Sequence, residues 1–225
     1  MTWETILRFA RGPFFYVALL FFVGGMIYRL VNVIGLGWNK DKAPAKGSKA
    51  GGVVKTFLKG ILIWPFIPWV KNTFKRNPLM YIGGGLFHLG LFAVVILGTP
   101  HMLVWKSLLG FGWPTLALPI VDWLAVGAIV GMLILLINRI IHPVLKLISG
   151  PAEYLAWLLV FVPMVTGYMM THHLWFQYEA LFAVHMLAVD VLLIWIPLSR
   201  ISHFIFYFFS RVYHGKDFGK RGVSV

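Results

Sequence analysis

The chain contains no cysteine among its 225 residues. That excludes thiolate-held iron–sulfur clusters, disulfides and the attachment of a c-type haem. Charge is scarce as well: 12% of residues are charged, against about a quarter in an ordinary soluble domain. Acidic residues are rarest, seven Asp and Glu against twenty Lys and Arg. No internal repeat is visible, which argues against an inverted-repeat transporter. No small-residue cleavage site follows the opening "MTWETILRFARGPFF", so its apolar run reads as a retained span rather than a signal peptide.

What is abundant is apolar: 60% of the residues are hydrophobic and the mean hydropathy is +0.83. This composition and length accommodate about five membrane spans of roughly 20 residues each. The apolar runs place them at about 13–36, 79–100, 116–141, 152–171 and 179–207, in one all-α membrane domain covering 1–225. Between the first two lies a basic connection, 37–78. It opens with "NKDKAPAKGSKAGG", which reads as mobile, and continues as a basic, aromatic stretch broken by two prolines. That second part reads as a helix lying at the interface, with Trp64 and Trp69 at headgroup depth.

Seventeen of the twenty basic residues fall in the connection 37–78, at Arg29, Arg139, Lys146 and Arg200, or in the tail 208–225; only Arg8, Arg11 and Lys106 lie on the opposite side. The bias predicts an outside N-terminus and a cytoplasmic C-terminus. The net charge of +13 then belongs to loops facing anionic lipid or an acidic partner, not to nucleic-acid binding.

Eight histidines sit on this frame. The stretch "FAVHMLAVDVLLIWIPLSRISHF" carries His185 and His203, eighteen residues apart. Eighteen residues are about five helical turns, some 27 Å of rise, so on one helix both imidazoles point the same way at two depths. The second span runs antiparallel to the fifth, which sets His88 on the cytoplasmic side with His203. His185 then needs a partner near the outer face, from His101 or, behind it, from His172 or His173. Two stacked haems, each with two axial imidazoles, fit this pattern. The plainer reading is that a membrane histidine hydrogen-bonds a neighbouring carbonyl and serves helix packing. His142, at a helix end before a proline, reads as a snorkelling end group, and His214 as a solvated tail residue. The glycines of "YIGGGLFHLG" around His88 suit either a flat macrocycle or close helix contact.

The segments "GLFHLGLF" and "VHMLAVDVLLIWIPLSRISHF" resemble the gamma subunit of respiratory nitrate reductase. The chain is more similar to the cytochrome b subunits of heterodisulfide-reductase-like and sulfite-reduction-associated membrane complexes. That likeness rests on "TPHMLVW", "GFGWPTL", "VTGYMMTHH" and "FFSRVYHGKDFGKRG". It covers the chain from about residue 78 onward. It implies a dihaem cytochrome b exchanging electrons between membrane quinone (menaquinone or ubiquinone) and a cytoplasmic iron–sulfur subunit, in a prokaryotic cytoplasmic membrane. Carried over, it makes His88 and His203 ligands of the cytoplasm-side haem and His185 a ligand of the outer one. The family's second histidine follows the first by ten residues; here that position is Gly98. His101 then substitutes, or the outer haem is held otherwise, or it is absent. On a straight helix His101 stands roughly 140° off the face of His88; Gly98 and Pro100 can end or bend the helix there.

Quinol oxidation releases protons, and Asp190, a carboxylate inside the fifth span, is the candidate acceptor. Lys106 is a second candidate near the outer surface, where Asp122, Tyr178 and Glu179 also lie. Arg200 or Arg139 could pair with a haem propionate or anchor its helix end. The alternatives are a single-haem version with His88 and His203 only, and a haem-free subunit that uses His and Asp190 as a proton relay or serves as an anchor.

Overall fold

The computed structural model describes residues 2–37, 44–60 and 73–223, and they form helices with no strand among them. Five helices are long and apolar enough to cross a membrane: Trp3–Gly35, Pro78–Leu97, Leu118–Ile141, Pro151–Thr171 and Tyr178–Leu198. The chain is an all-α integral membrane protein.

The first of these comprises α1 (Trp3–Phe9), a π-helical turn (Ala10–Phe14) and α2 (Phe15–Gly35). It begins well before the expected residue 13. The Thr2 hydroxyl caps it by accepting from the Thr5 amide, and the helix kinks at Gly12, whose φ −108° and ψ −109° are non-helical, just before Pro13. There follow α3 (Lys49–Leu58), α4 (Thr73–Arg76), α5 (Pro78–Leu97), α6 (Thr99–Leu109), α7 (Leu118–Ile141), α8 (Pro143–Leu147), α9 (Pro151–Thr171) and α10 (Tyr178–Leu198). A 3₁₀ turn (Arg200–Ser202) then leads into α11 (His203–Arg221). Helices α5 to α9 each carry a proline in the first turn, where a missing N–H leaves no hydrogen bond unmade.

The chain divides into two compact units, Met1–Tyr16 with Thr73–Leu192, and Val17–Asn72 with Leu193–Val225. In the first, α5 packs along α7 through small residues. A Cβ at Gly83 would stand 3.0 Å from the Gly131 carbonyl oxygen, and one at Gly90 would run into the Leu124 carbonyl and lie 2.7 Å from the Ala128 Cβ. Such contacts let two backbones approach where lipid gives helices no hydrophobic reason to associate. Helix α9 joins the other side of α7, where Trp157 Nε1 donates to the Met132 carbonyl at 2.8 Å.

In the second unit α3 lies against α11 on glycine. A Cβ at Gly52 would collide with the Gly215 carbonyl and stand 2.6 Å from the Gly219 Cα. The Lys46 amide donates to the Lys220 carbonyl at 2.8 Å and the Tyr207 hydroxyl to the Gly60 carbonyl at 2.7 Å. At 44–52 this departs from the mobile segment expected at 39–52, whose residues 39–43 lie outside the described residues. The Ser48 hydroxyl accepts from the Gly51 amide and starts α3, and the glycines that weaken the helix in isolation are what let it approach α11. Residues 61–72 of the expected interfacial helix, Trp64 and Trp69 among them, lie outside the described residues.

The fifth span also differs from its expected bounds. It ends at Leu198 rather than 207: Pro197 lacks an amide hydrogen, Ser199 is extended, and its hydroxyl accepts from the Ile201 amide to open the 3₁₀ turn. His185 and His203 therefore do not share one continuous helix; His203 is the first residue of α11.

Candidate functional site

Helix α5 stops at Leu97 and Gly98 is extended, with φ −75° and ψ 131°. A helix end leaves its last carbonyls without intrahelical donors, and here each is met. The Trp105 indole donates to Val95 at 2.9 Å, the Trp113 indole to Ile96 at 2.7 Å and the Leu116 amide to Leu97 at 2.9 Å. The Val94 carbonyl takes the Gly98 amide at 3.1 Å and also bonds His101. The chain re-enters a helix at Thr99, so His101 sits in the first turn of α6. A Cβ at Gly98 would press on the Val94 carbonyl at 2.5 Å. Glycine at the position ten residues after His88 thus forms the turn that swings His101 inward.

It meets His185. The two imidazole centroids are 6.3 Å apart with planes at 63°. On α10, His185 Nδ1 lies 2.9 Å from the Pro163 carbonyl and 3.3 Å from the Thr166 hydroxyl of α9. The ring fits against Gly167, where a Cβ would stand 3.0 Å from Cε1. Donation from Nδ1 to a carbonyl places the lone pair of the neutral ring on Nε2, the arrangement that prepares a histidine as a metal ligand. Burial holds the His101 pKa below the ordinary histidine value, against the opposing pull of the Val94 carbonyl, which favours the neutral form that binds metal.

No three metal-ligating side chains gather among the described residues. A facing pair of imidazoles suits instead an iron whose other ligands come from a macrocycle. With metal–nitrogen bonds of about 2 Å on each side, an iron between two imidazoles sets their centres about 6 Å apart. The observed separation of 6.3 Å matches that spacing. His172 is placed otherwise: its Nε2 is 3.3 Å from Asp122 Oδ1 and its ring lies on Tyr168. His173 packs near Tyr178.

His88 repeats the local pattern, with Nδ1 2.7 Å from the Gly84 carbonyl. The glycines around it divide by role. Gly83 and Gly90 serve the α7 contact, whereas a Cβ at Gly84 or Gly85 would meet nothing within 4 Å. These two lie one turn before His88 on its own face and leave the space beside it open. In the second unit, His203 Nδ1 is 3.0 Å from the Arg200 carbonyl. Three of the four candidate ligands thus turn Nδ1 to a carbonyl inside their own unit.

Asp190 is wholly buried, and neither carboxylate oxygen has a hydrogen-bond partner among the described residues. It shares a stripe of α10 with Ala183 and lies about 140° round the helix from His185, so it is not on the ligand's face. Lys106 is exposed near the end of α6. Arg200 is exposed in the 3₁₀ turn. Arg139 donates to the Ser149 hydroxyl at 2.7 Å. His142 caps α7, its buried Nδ1 without a partner among the described residues, and His214 stacks on Phe218. Thr166, Pro163 and Gly167 escaped the sequence reading as partners of His185; only the Thr–Gly pair in "VTGYMMTHH" hinted at a close approach.

No protein-family model matches the chain, and no solved structure does. A curated chain from Nitratidesulfovibrio vulgaris (strain Hildenborough) is similar at 27% identity over 216 residues, covering 95% of this chain and 94% of that one, and its name states no function.

Proposed function

We propose that this chain is a dihaem b membrane subunit of a respiratory oxidoreductase, exchanging electrons between quinone in a prokaryotic cytoplasmic membrane and an iron–sulfur partner on the cytoplasmic side. The observation that carries this reading is the pair His101 and His185, with ring centres 6.3 Å apart and His185 Nδ1 fixed on a backbone carbonyl. His101 and His185 hold the outer haem. His88 and His203 keep the roles implied by the family resemblance, as ligands of the cytoplasm-side haem. Haem b, when bound, supplies one-electron transfer.

The protein's own residues do the rest. Pro163, Thr166 and Gly167 hold the His185 ring in one plane and one tautomer. Trp105, Trp113 and Leu116 fix the turn that carries His101. Asp190, buried and without a hydrogen-bond partner among the described residues, is the candidate proton-handling group inside the span. Lys106 and Arg200 offer charge for a quinone carbonyl and a haem propionate, respectively. The absence of cysteine leaves any cluster to the partner, and the basic connection and tail give an acidic partner or anionic lipid its counter-charge.

A reduced-minus-oxidised spectrum with pyridine haemochrome quantitation of the purified chain tests the reading; two haems b per chain are expected. No haem in a folded, haem-supplied preparation would sink it and leave the buried Asp190 as support for a haem-free proton relay. For Asp190→Asn the expected result is an unchanged haem spectrum with quinol-driven reduction slowed about a hundredfold, the usual scale of a lost acid–base group. Stopped-flow reduction by a soluble quinol reads it, and an unaltered rate removes Asp190 from the proton path.

A further inference from the structure

Arg29 stands in α2, six residues before its end, in a stretch where a guanidinium is costly unless its donors are met. Its Nη1 lies 3.0 Å from the Pro197 carbonyl, 2.8 Å from the Ser199 carbonyl and 2.7 Å from the Ser202 hydroxyl. Its Cζ sits 5.5 Å over the Phe206 ring. All these partners fall within 197–206, the stretch where the fifth span stops, the 3₁₀ turn forms and α11 begins. Positive inside-facing residues are usually interchangeable anchors. Arg29 is not of that kind: it caps the carbonyls that Pro197 and the turn leave without helical donors.

The same turn holds His203. Its Nδ1 bonds the Arg200 carbonyl, and the Ser202 hydroxyl bonds the Ser199 carbonyl that Arg29 also meets, at 2.9 Å. Gly25, one turn before Arg29, keeps α2 close to this point; a Cβ there would stand 2.7 Å from the Pro197 Cβ. Removing the guanidinium would strip the turn of a shared donor and free Arg200 and His203 from their fixed orientation. We infer that Arg29 is the positioning residue for His203, holding the broken end of the fifth span so that its imidazole is presented to haem. This rests on the cytochrome reading above and adds to it a residue that touches neither iron nor substrate.

The test compares Arg29→Ala, Arg29→Lys and the milder Ser202→Ala with wild type. Wild type is quantified first; if it binds no haem at His203, as judged against His203→Ala, the dihaem reading fails and with it the inference that Arg29 presents His203 to haem. With haem present, Arg29→Ala should fall to the haem content and low-temperature spectrum of His203→Ala while keeping the His101/His185 haem. Arg29→Lys should recover part of the loss, and Ser202→Ala should shift the midpoint potential of that haem alone. The turn is read independently in haem-depleted protein by tryptic cleavage after Arg200, expected at least tenfold faster in Arg29→Ala. Unchanged cleavage with both haems retained would overturn the inference, as would equal loss of both haems, which marks general destabilisation.

Discussion

His185→Ala is expected to take the purified chain from two haems b to one and to leave the remaining spectrum the same as that of His101→Ala. On the proposed reading each imidazole is half of one site, so the double variant should lose no more than either single one; residues that act as a unit are strongly non-additive. His172→Ala and His173→Ala should keep both haems, since the structure ties the first to Asp122 and packs the second near Tyr178. The expectation follows from distance: one imidazole stands 6.3 Å from His185, and it is carried by a turn whose every carbonyl is met. Haemochrome quantitation with redox titration checks it. Two haems in His101→Ala would return the outer ligand to His172 or His173.

Gly52→Ala is expected to be the most damaging single methyl in the second unit. Overpacking generally costs about 1–3 kcal/mol when side chains can yield. At Gly52 the atoms in the way are the Gly215 carbonyl and the Gly219 Cα, which belong to a helix backbone and cannot rotate aside, so the cost should exceed that range. The adjacent Gly51→Ala is the control, with only the Ser48 side chain nearby, at 3.3 Å; helix propensity alone would favour it by up to about 1 kcal/mol. A cysteine-free chain makes the readout clean. The Cβ positions of Lys46 and Gly222 are 3.5 Å apart, within reach of a disulfide. Lys46→Cys with Gly222→Cys should cross-link in wild type and with Gly51→Ala, and should fail with Gly52→Ala. Full cross-linking in all three would show that the two helices do not depend on the glycine contact.

Much of the fold was legible because lipid constrains sequence so strongly. The second to fourth spans lie within a few residues of the runs read from hydropathy, and the histidines stood out as polar groups in apolar surroundings. The misjudged ends have local causes. Hydropathy carries the fifth span on to residue 207 because "FIFYFF" is as apolar as what precedes it, but the break is set by Pro197, Ser199 and the oxygens Arg29 meets. The expected 13–36 matches α2 (Phe15–Gly35), and the helix that precedes it, beyond the kink at Gly12, was not anticipated. Gly98 looked like a missing ligand; in the structure it is the turn that brings His101 beside His185. The α3–α11 pair was illegible in principle, since the value of a glycine there depends on another glycine far along the chain.

That separation also orders events during synthesis. Gly52 leaves the ribosome long before Gly215, by roughly ten to thirty seconds at about 5–20 residues per second. Through that interval α3 has no partner, and its own glycines make it a poor helix in isolation. The first connection can settle only once α11 has been made, and α11 follows directly on the turn that carries His203. Closure of the glycine face is therefore a late step of biogenesis.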